Sequence, residues 1–218
     1  MTQTISAVYD KVIAFECIDA NTQRVASGTA FWLNVNGKVK LVTAAHIPWP
    51  QLPPPAPIAC GSLFCVSWSG TGGRANSGRA RILAHPRAPQ VDYAWIEFDD
   101  ASLAPPGSNN PFHMSPQCAN IDTSVAAIGF PGAFVGFNPN PDYAIGVVRC
   151  IQNPPGSKIF IAGEACGGYS GGPAFQYVDE DTLDDSVIGV MCGAPTQNTN
   201  ISFSVAYSYI LEGSKSFV

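Results

Sequence analysis

Short apolar runs, broken every eight to twelve residues or so by Gly, Pro, Asn, Asp and Ser, dominate the hydropathy pattern of this chain. The runs are rich in Val, Ile, Phe and Trp. None sustains a 3.6-residue period for more than two turns, so an all-β protein is expected. The pattern predicts strands near 12–17, 28–34, 38–43, 62–68, 79–84 and 93–98. A second set is predicted near 125–130, 143–151, 158–163, 173–178, 187–192 and 202–207. Between the sets, Ser102 to Gln117 carries no strand pattern and reads as a connection, with domains at 1–108 and 109–218. The 19 prolines and 21 glycines fit the punctuation of such a fold.

Composition narrows the function classes. The chain has 218 residues, 46% of them hydrophobic, enough for one large domain or two small barrels with separate cores. A net charge of −5, with eleven scattered basic residues, argues against a nucleic-acid surface. No stretch reaches the roughly 20 apolar residues of a membrane span. Met1 to Ile5 is not a basic region leading into an apolar core, so no signal peptide is read and a cytoplasmic location is expected. The seven cysteines, Cys17, Cys60, Cys65, Cys118, Cys150, Cys166 and Cys192, then read as reduced thiols. By spacing, Cys60 and Cys65 are the one pair considered for a small disulfide loop. No cysteine or histidine spacing suits zinc, and no cofactor is implied.

Three segments carry candidate chemistry. In Gly168-Tyr169-Ser170-Gly171-Gly172-Pro173 a serine stands among glycines on a turn. Such a turn can present a hydroxyl while nearby main-chain N–H groups point at the same spot, which is what a nucleophile and its oxyanion hole require. In Leu41-Val42-Thr43-Ala44-Ala45-His46 a buried-strand pattern ends in an imidazole. In Val91-Asp92-Tyr93-Ala94-Trp95 an aspartate opens another strand. A serine needs a base, and the base needs a carboxylate to hold its tautomer.

With Gly28-Thr29-Ala30-Phe31, His85-Pro86 and Gly129-Phe130-Pro131-Gly132, these segments resemble, in order and over nearly the whole chain, the trypsin-like (chymotrypsin-fold) serine proteases. The resemblance implies two six-stranded antiparallel β-barrels with the active site in the cleft between them. It implies His46 as general base, Asp92 as its orienting carboxylate and Ser170 as nucleophile. It also implies an oxyanion hole from the N–H groups of Gly168 and Ser170, and a substrate pocket including Glu164, Cys192 and Gly193. The substrate would be a protein or peptide, and a regulatory partner stays open.

The chain departs from the family at several positions. Tyr169 replaces the aspartate that pairs with a newly cut N-terminus in zymogen-activated members, and no Ile-Val-Gly-Gly start is present. Both departures are closer to the non-zymogen bacterial and viral branches. Cys192 stands where relatives commonly have a serine beside the triad aspartate, and a thiol is a weak donor. Glu164 aligns with the acidic residue at the base of the trypsin pocket, or else faces solvent on a loop of different path. Ile47 replaces the cysteine that follows the catalytic histidine in disulfide-bonded relatives.

Other residues have competing readings. His85 and His113 are the alternative bases. Cys166 reads as a pocket-wall thiol rather than a nucleophile. The acidic run Asp179, Glu180, Asp181, Asp184 and Asp185 reads as a solvated hairpin tip, with calcium as the alternative. Pro48 to Pro57 reads as a stiff surface loop, or as a ligand for a proline-recognising domain. The same triad could also serve an esterase, or the cleft an inactive binding domain.

Overall fold

The computed structural model describes residues 1–19, 25–47, 63–69, 74–84, 92–105, 107–115, 119–131, 140–151, 158–163, 167–192 and 203–206. The first half contains β1 (Thr2–Thr4), α1 (Ile5–Tyr9), β2 (Val12–Asp19), β3 (Val25–Val35), β4 (Lys38–Thr43), β5 (Leu63–Ser69), β6 (Arg74–Ala84) and β7 (Ala94–Phe98). After a short 3₁₀ turn at Ala101–Leu103 come β8 (Phe112–Met114), β9 (Ser124–Gly129), β10 (Asp142–Ile151), β11 (Lys158–Gly163), β12 (Pro173–Asp179), β13 (Thr182–Met191) and β14 (Phe203–Ala206).

The pairings of each half return on themselves. In the first, the order β3-β2-β5-β6-β7-β4 is completed by β4 pairing with β3. In the second, β12-β9-β10-β11-β14-β13 is completed by β13 pairing with β12. All these pairs are antiparallel, and the strands are those expected from the hydropathy pattern. The β3–β4 hairpin shows why the local sequence suffices. Asn36 and Gly37 both hold positive φ, 53° and 81°, as a two-residue turn matched to strand twist requires. The Asn34 side chain accepts a hydrogen bond from the Gly37 N–H at 2.9 Å.

Side chains alternate between two destinations. Along β3 and β4, Ala30 and Leu41 join Ile13, Ala80, Ala94 and Ile96 in a cluster drawn from strands around the first ring. Their neighbours Phe31 and Val42 join a different cluster, with Tyr93, Trp95, Ile128, Phe175 and Val190. That second cluster takes residues from both halves and glues them together. A third, with Val125, Ala127, Val148, Ile161 and Ala174, fills the second ring. Period-2 alternation thus lets one strand serve the core of its own half and the joint between halves.

The connection departs from expectation. Phe112–Met114 is a strand, parallel to both β3 (Leu33 beside Phe112) and β13 (Ser186 beside His113), and it links the two rings. Three residues are too few to show an alternation, and the partner strands lie far away in the sequence. Burial supplies the driving force. Phe112 is 2% exposed, and its ring meets Phe31 and Phe175 edge-to-face at 5.9 and 5.2 Å between centroids. The N-terminal β1 also lies outside the expected strands. It pairs with β13, Gln3 opposite Leu183. Cys65 lies across from Cys17 in the β2–β5 ladder, and Cys60 lies outside the described residues.

Removing the ring at the joint should be costly. Phe112→Ala is expected to lower unfolding free energy by about 3–5 kcal/mol. Val39→Thr, on the exposed side of the β3–β4 hairpin, should change it by less than about 0.5 kcal/mol. Urea denaturation of both variants checks the contrast.

Candidate active site

His46 is delivered by a tight turn. After β4 ends at Thr43, the Ile47 N–H bonds back to the Ala44 carbonyl at 3.4 Å. Ala44, Ala45 and Ile47 are buried, which leaves the imidazole as the group that emerges, 40% exposed. Small residues at 44 and 45 let the turn lie close to neighbouring backbone. Gly28 has the matching role on β3, because a Cβ there would press on the Ile47 side chain and on the Ser170 carbonyl.

Sheet register brings Asp92 to the ring. β4 and β7 run antiparallel with Thr43 opposite Ala94 and Val42 opposite Trp95. Continuing that register sets Asp92 beside the start of the histidine turn. Its carboxylate is only 14% exposed and accepts two hydrogen bonds from His46. One comes from the main-chain N–H to Oδ1 at 2.8 Å, and the other joins Nδ1 to Oδ2 at 2.6 Å. The first fixes the carboxylate against the turn. The second favours the tautomer with the proton on Nδ1, so Nε2 carries the free lone pair. Tyr93, next in the chain, is buried, and burial pushes its phenol pKa upward. It therefore stays neutral and adds no competing negative charge.

The serine turn precedes β12 and is tied down on several sides. The Gly172 N–H bonds to the Tyr169 carbonyl at 2.9 Å within the turn. The Gly171 N–H bonds to the Met191 carbonyl at 2.8 Å, continuing the β12–β13 ladder. The Ser170 carbonyl accepts from the Thr29 N–H at 2.9 Å, a bond that crosses from β3. Gly168 and Gly171 hold φ of 106° and 84°. At Gly171 a Cβ would overlap the Thr29 carbonyl and the Thr43 hydroxyl. The turn thus lies directly against the strands that lead to His46.

The Tyr169 side chain is buried in the second-ring core, with Val125, Ala127 and Ile161. Position 169 therefore anchors the turn from below by packing, where an aspartate would need an ionic partner. Cys192 lies at the end of β13, with Sγ 3.4 Å from the main-chain carbonyl of Asp92 and 3.2 Å from that of Val190. It thus neighbours Asp92 through main chain, while the carboxylate takes the His46 N–H.

Thr29 was not among the expected site residues. Its hydroxyl donates to the Gly168 carbonyl at 2.7 Å and accepts from the Phe130 N–H at 3.2 Å. Its own carbonyl accepts from the Thr43 hydroxyl at 2.9 Å. The one available sequence signal was its place inside Gly28-Thr29-Ala30-Phe31.

The remaining expected residues are placed as follows. His113 is exposed on β8, opposite Asn34 and Ser186, apart from the His46–Asp92 pair. The acidic run forms the β12–β13 hairpin, turning at Glu180 and Asp181. Among the described residues no three His, Cys, Asp or Glu side chains gather as a metal site. Glu164, Cys166, Gly193, His85 and Pro48 to Pro57 lie outside the described residues. Among those described, no helix is long and apolar enough to cross a membrane.

No family model matches the chain, and no curated protein matches it. Solved structures do. The active form of the Rv3671c protease from M. tuberculosis superposes at a TM-score of 0.65 and 20% identity, over 97% of this chain and 82% of its own. The inactive form of that protease gives 0.62 and 18%, over 97% and 90%. The serine endoprotease from Yersinia pestis gives 0.62 and 12%, over 95% of this chain and 62% of its own. At these identities the shared property is the fold. The chain has the β-rich, chymotrypsin-like fold expected from its motifs.

Two glycines with nearly equal φ separate backbone strain from steric contact. Gly37, at 81° with open space around it, should lose about 1–2 kcal/mol on replacement by Ala. Gly171→Ala should lose roughly 2–3 kcal/mol beyond that, because its Cβ meets fixed main chain. Denaturation midpoints of the two variants measure the difference.

Proposed function

We propose that this chain is a serine endopeptidase. The observation that carries the reading is the doubly bonded Asp92–His46 pair, on a ring packed against the Gly168–Pro173 turn. On this reading residues 1–108 carry the base and its carboxylate, and 109–218 carry the nucleophile. His46 Nε2 takes the proton of Ser170 as Oγ attacks the carbonyl carbon of a peptide bond. Asp92 stays ionised and stabilises the imidazolium that results. The negative charge on the former carbonyl oxygen is met by the Gly168 and Ser170 N–H groups. One such donor is worth about 3 kcal/mol in the transition state. His46 then protonates the leaving amine, and water releases the acyl group by the same route reversed. Glu164, Cys192 and Gly193 are the positions at which the resemblance places the substrate pocket.

The fold shared with solved proteases supports this reading, as does the buried Tyr169, whose side chain packs in the second-ring core beneath the turn. A fluorophosphonate probe tests it. Wild type should be labelled, Ser170→Ala should not, and His46→Ala should react far more slowly. A well-folded wild type that stays unlabelled and cleaves no peptide in a mixed library refutes the proposal. Asp92→Asn should keep the fold and lower kcat by roughly 10³–10⁴, since the amide favours the wrong tautomer. Steady-state kinetics on a cleaved library peptide measures that loss.

A further inference from the structure

Thr29 is fully buried, at 0% exposure, and every polar atom it has is engaged. Its N–H holds the Ser170 carbonyl and its carbonyl holds the Thr43 hydroxyl. Its hydroxyl sits between the Gly168 carbonyl and the Phe130 N–H. Two carbonyls of the serine turn, those of residues 168 and 170, therefore point at one residue of β3. The carbonyl between them, Tyr169, points elsewhere, to the Gly172 N–H.

A peptide plane carries its N–H opposite its C=O. Holding the Gly168 carbonyl therefore fixes the Tyr169 N–H in the same plane, and holding the Tyr169 carbonyl fixes the Ser170 N–H. The weak link is Gly168. It has no side chain, its φ is 106°, and its carbonyl is restrained by the Thr29 hydroxyl. A glycine released from that bond can rotate the adjoining peptides at little cost. Releasing it also strands a buried acceptor and the buried Phe130 donor, and the main chain can recover partners by turning toward water.

We propose that Thr29 is a positioning residue for the oxyanion hole. Its hydroxyl locks the Gly168–Tyr169 peptide, the link that sets the flanking Gly168 and Ser170 N–H groups relative to each other and so aims both at the developing oxyanion. This rests on the reading of Ser170 as an acylating nucleophile. In a chain with Tyr169 where zymogen-activated relatives have an aspartate, the lock is a neutral hydrogen bond from the opposite half. The turn then needs no free amine to be competent. Tyr169 fixes its height and Thr29 fixes its peptide orientation.

The test uses the whole chain and four variants, Thr29→Val, Thr29→Cys, Thr29→Ala and Thr29→Ser. Folding is checked by circular dichroism and denaturation. Peptide kcat, KM and the affinity of a peptidyl boronate, which needs the oxyanion hole, are then compared. Thr29→Val is expected to lose 30-fold or more in kcat, on the order of a lost oxyanion donor, with KM changed by under about threefold. Boronate affinity should fall in parallel with kcat, and Thr29→Ser should recover most of both. If Thr29→Val does not fold, Thr29→Cys and Thr29→Ala carry the comparison, and kcat should rank Ser above Cys above Ala. The proposal is overturned if a folded hydroxyl-free variant keeps kcat within about threefold of wild type. It is equally overturned if only KM rises, or if Thr29→Ser is as impaired as Thr29→Ala. A well-folded wild type that is neither labelled at Ser170 nor cleaves any library peptide sinks the serine-protease reading instead, and is seen before any Thr29 variant is made.

Discussion

The structure depends on one close approach of main chain to main chain. The Gly168–Gly172 turn of the second half lies against β3 and the end of β4 of the first, near enough for the Thr29 N–H to bond the Ser170 carbonyl. A side chain at Gly171 would meet the Thr29 carbonyl, and one at Gly28 would meet the Ser170 carbonyl from the other side. Glycine on both faces of the contact is what permits hydrogen bonding there. Most buried polar groups must find partners, so once the halves touch, their bonds across the contact define a single geometry. Residues 28, 29, 44, 170 and 171 are fixed relative to one another by this contact.

Hydrophobic packing brings the halves to that distance. The shared cluster around Phe31, Phe112 and Phe175 buries apolar surface from both rings, and β8 adds a ladder to each. The non-directional term sets the approach and the hydrogen bonds at Thr29 set the angle. This division explains why the candidate site residues His46 and Asp92 lie beside the strands that meet the Gly168–Gly172 turn. Inside either ring the same polar groups would disrupt a packed core. At the joint they face one another, with His46 open to solvent.

Electrostatics at the site is local. Asp92 is mostly shielded from water yet accepts two hydrogen bonds from one neighbour, and the adjacent Tyr93 stays neutral through burial. A carboxylate so placed can hold an imidazole in one tautomer. The overall charge of −5 has no visible part in this. The contacts that matter are shorter than 3 Å and lie within one turn and one strand end.

Much of this was legible in the sequence. Period-2 apolar runs and their Gly and Pro boundaries marked the twelve strands of the two rings, because strand formation follows local alternation. The Asn36-Gly37 turn, not singled out from the sequence, is as local, since it rests on φ values those residues tolerate. His46, Asp92 and Ser170 were legible as residue types at strand ends and in a glycine-rich turn. Other features came only from the tertiary structure. Phe112–Met114 became a strand because two distant strands offered it partners, and Phe112 filled the joint between them. Thr29 proved to hold Gly168 across 139 residues of sequence, a relation that no local pattern encodes. The support of the Asp92 carboxylate by the His46 N–H also arose from the β4–β7 register rather than from either segment alone. The sequence by itself determined which segments would be strands and which groups could do chemistry. The tertiary structure decided which of those groups meet, because hydrogen bonds between distant segments exist only after the two halves have packed.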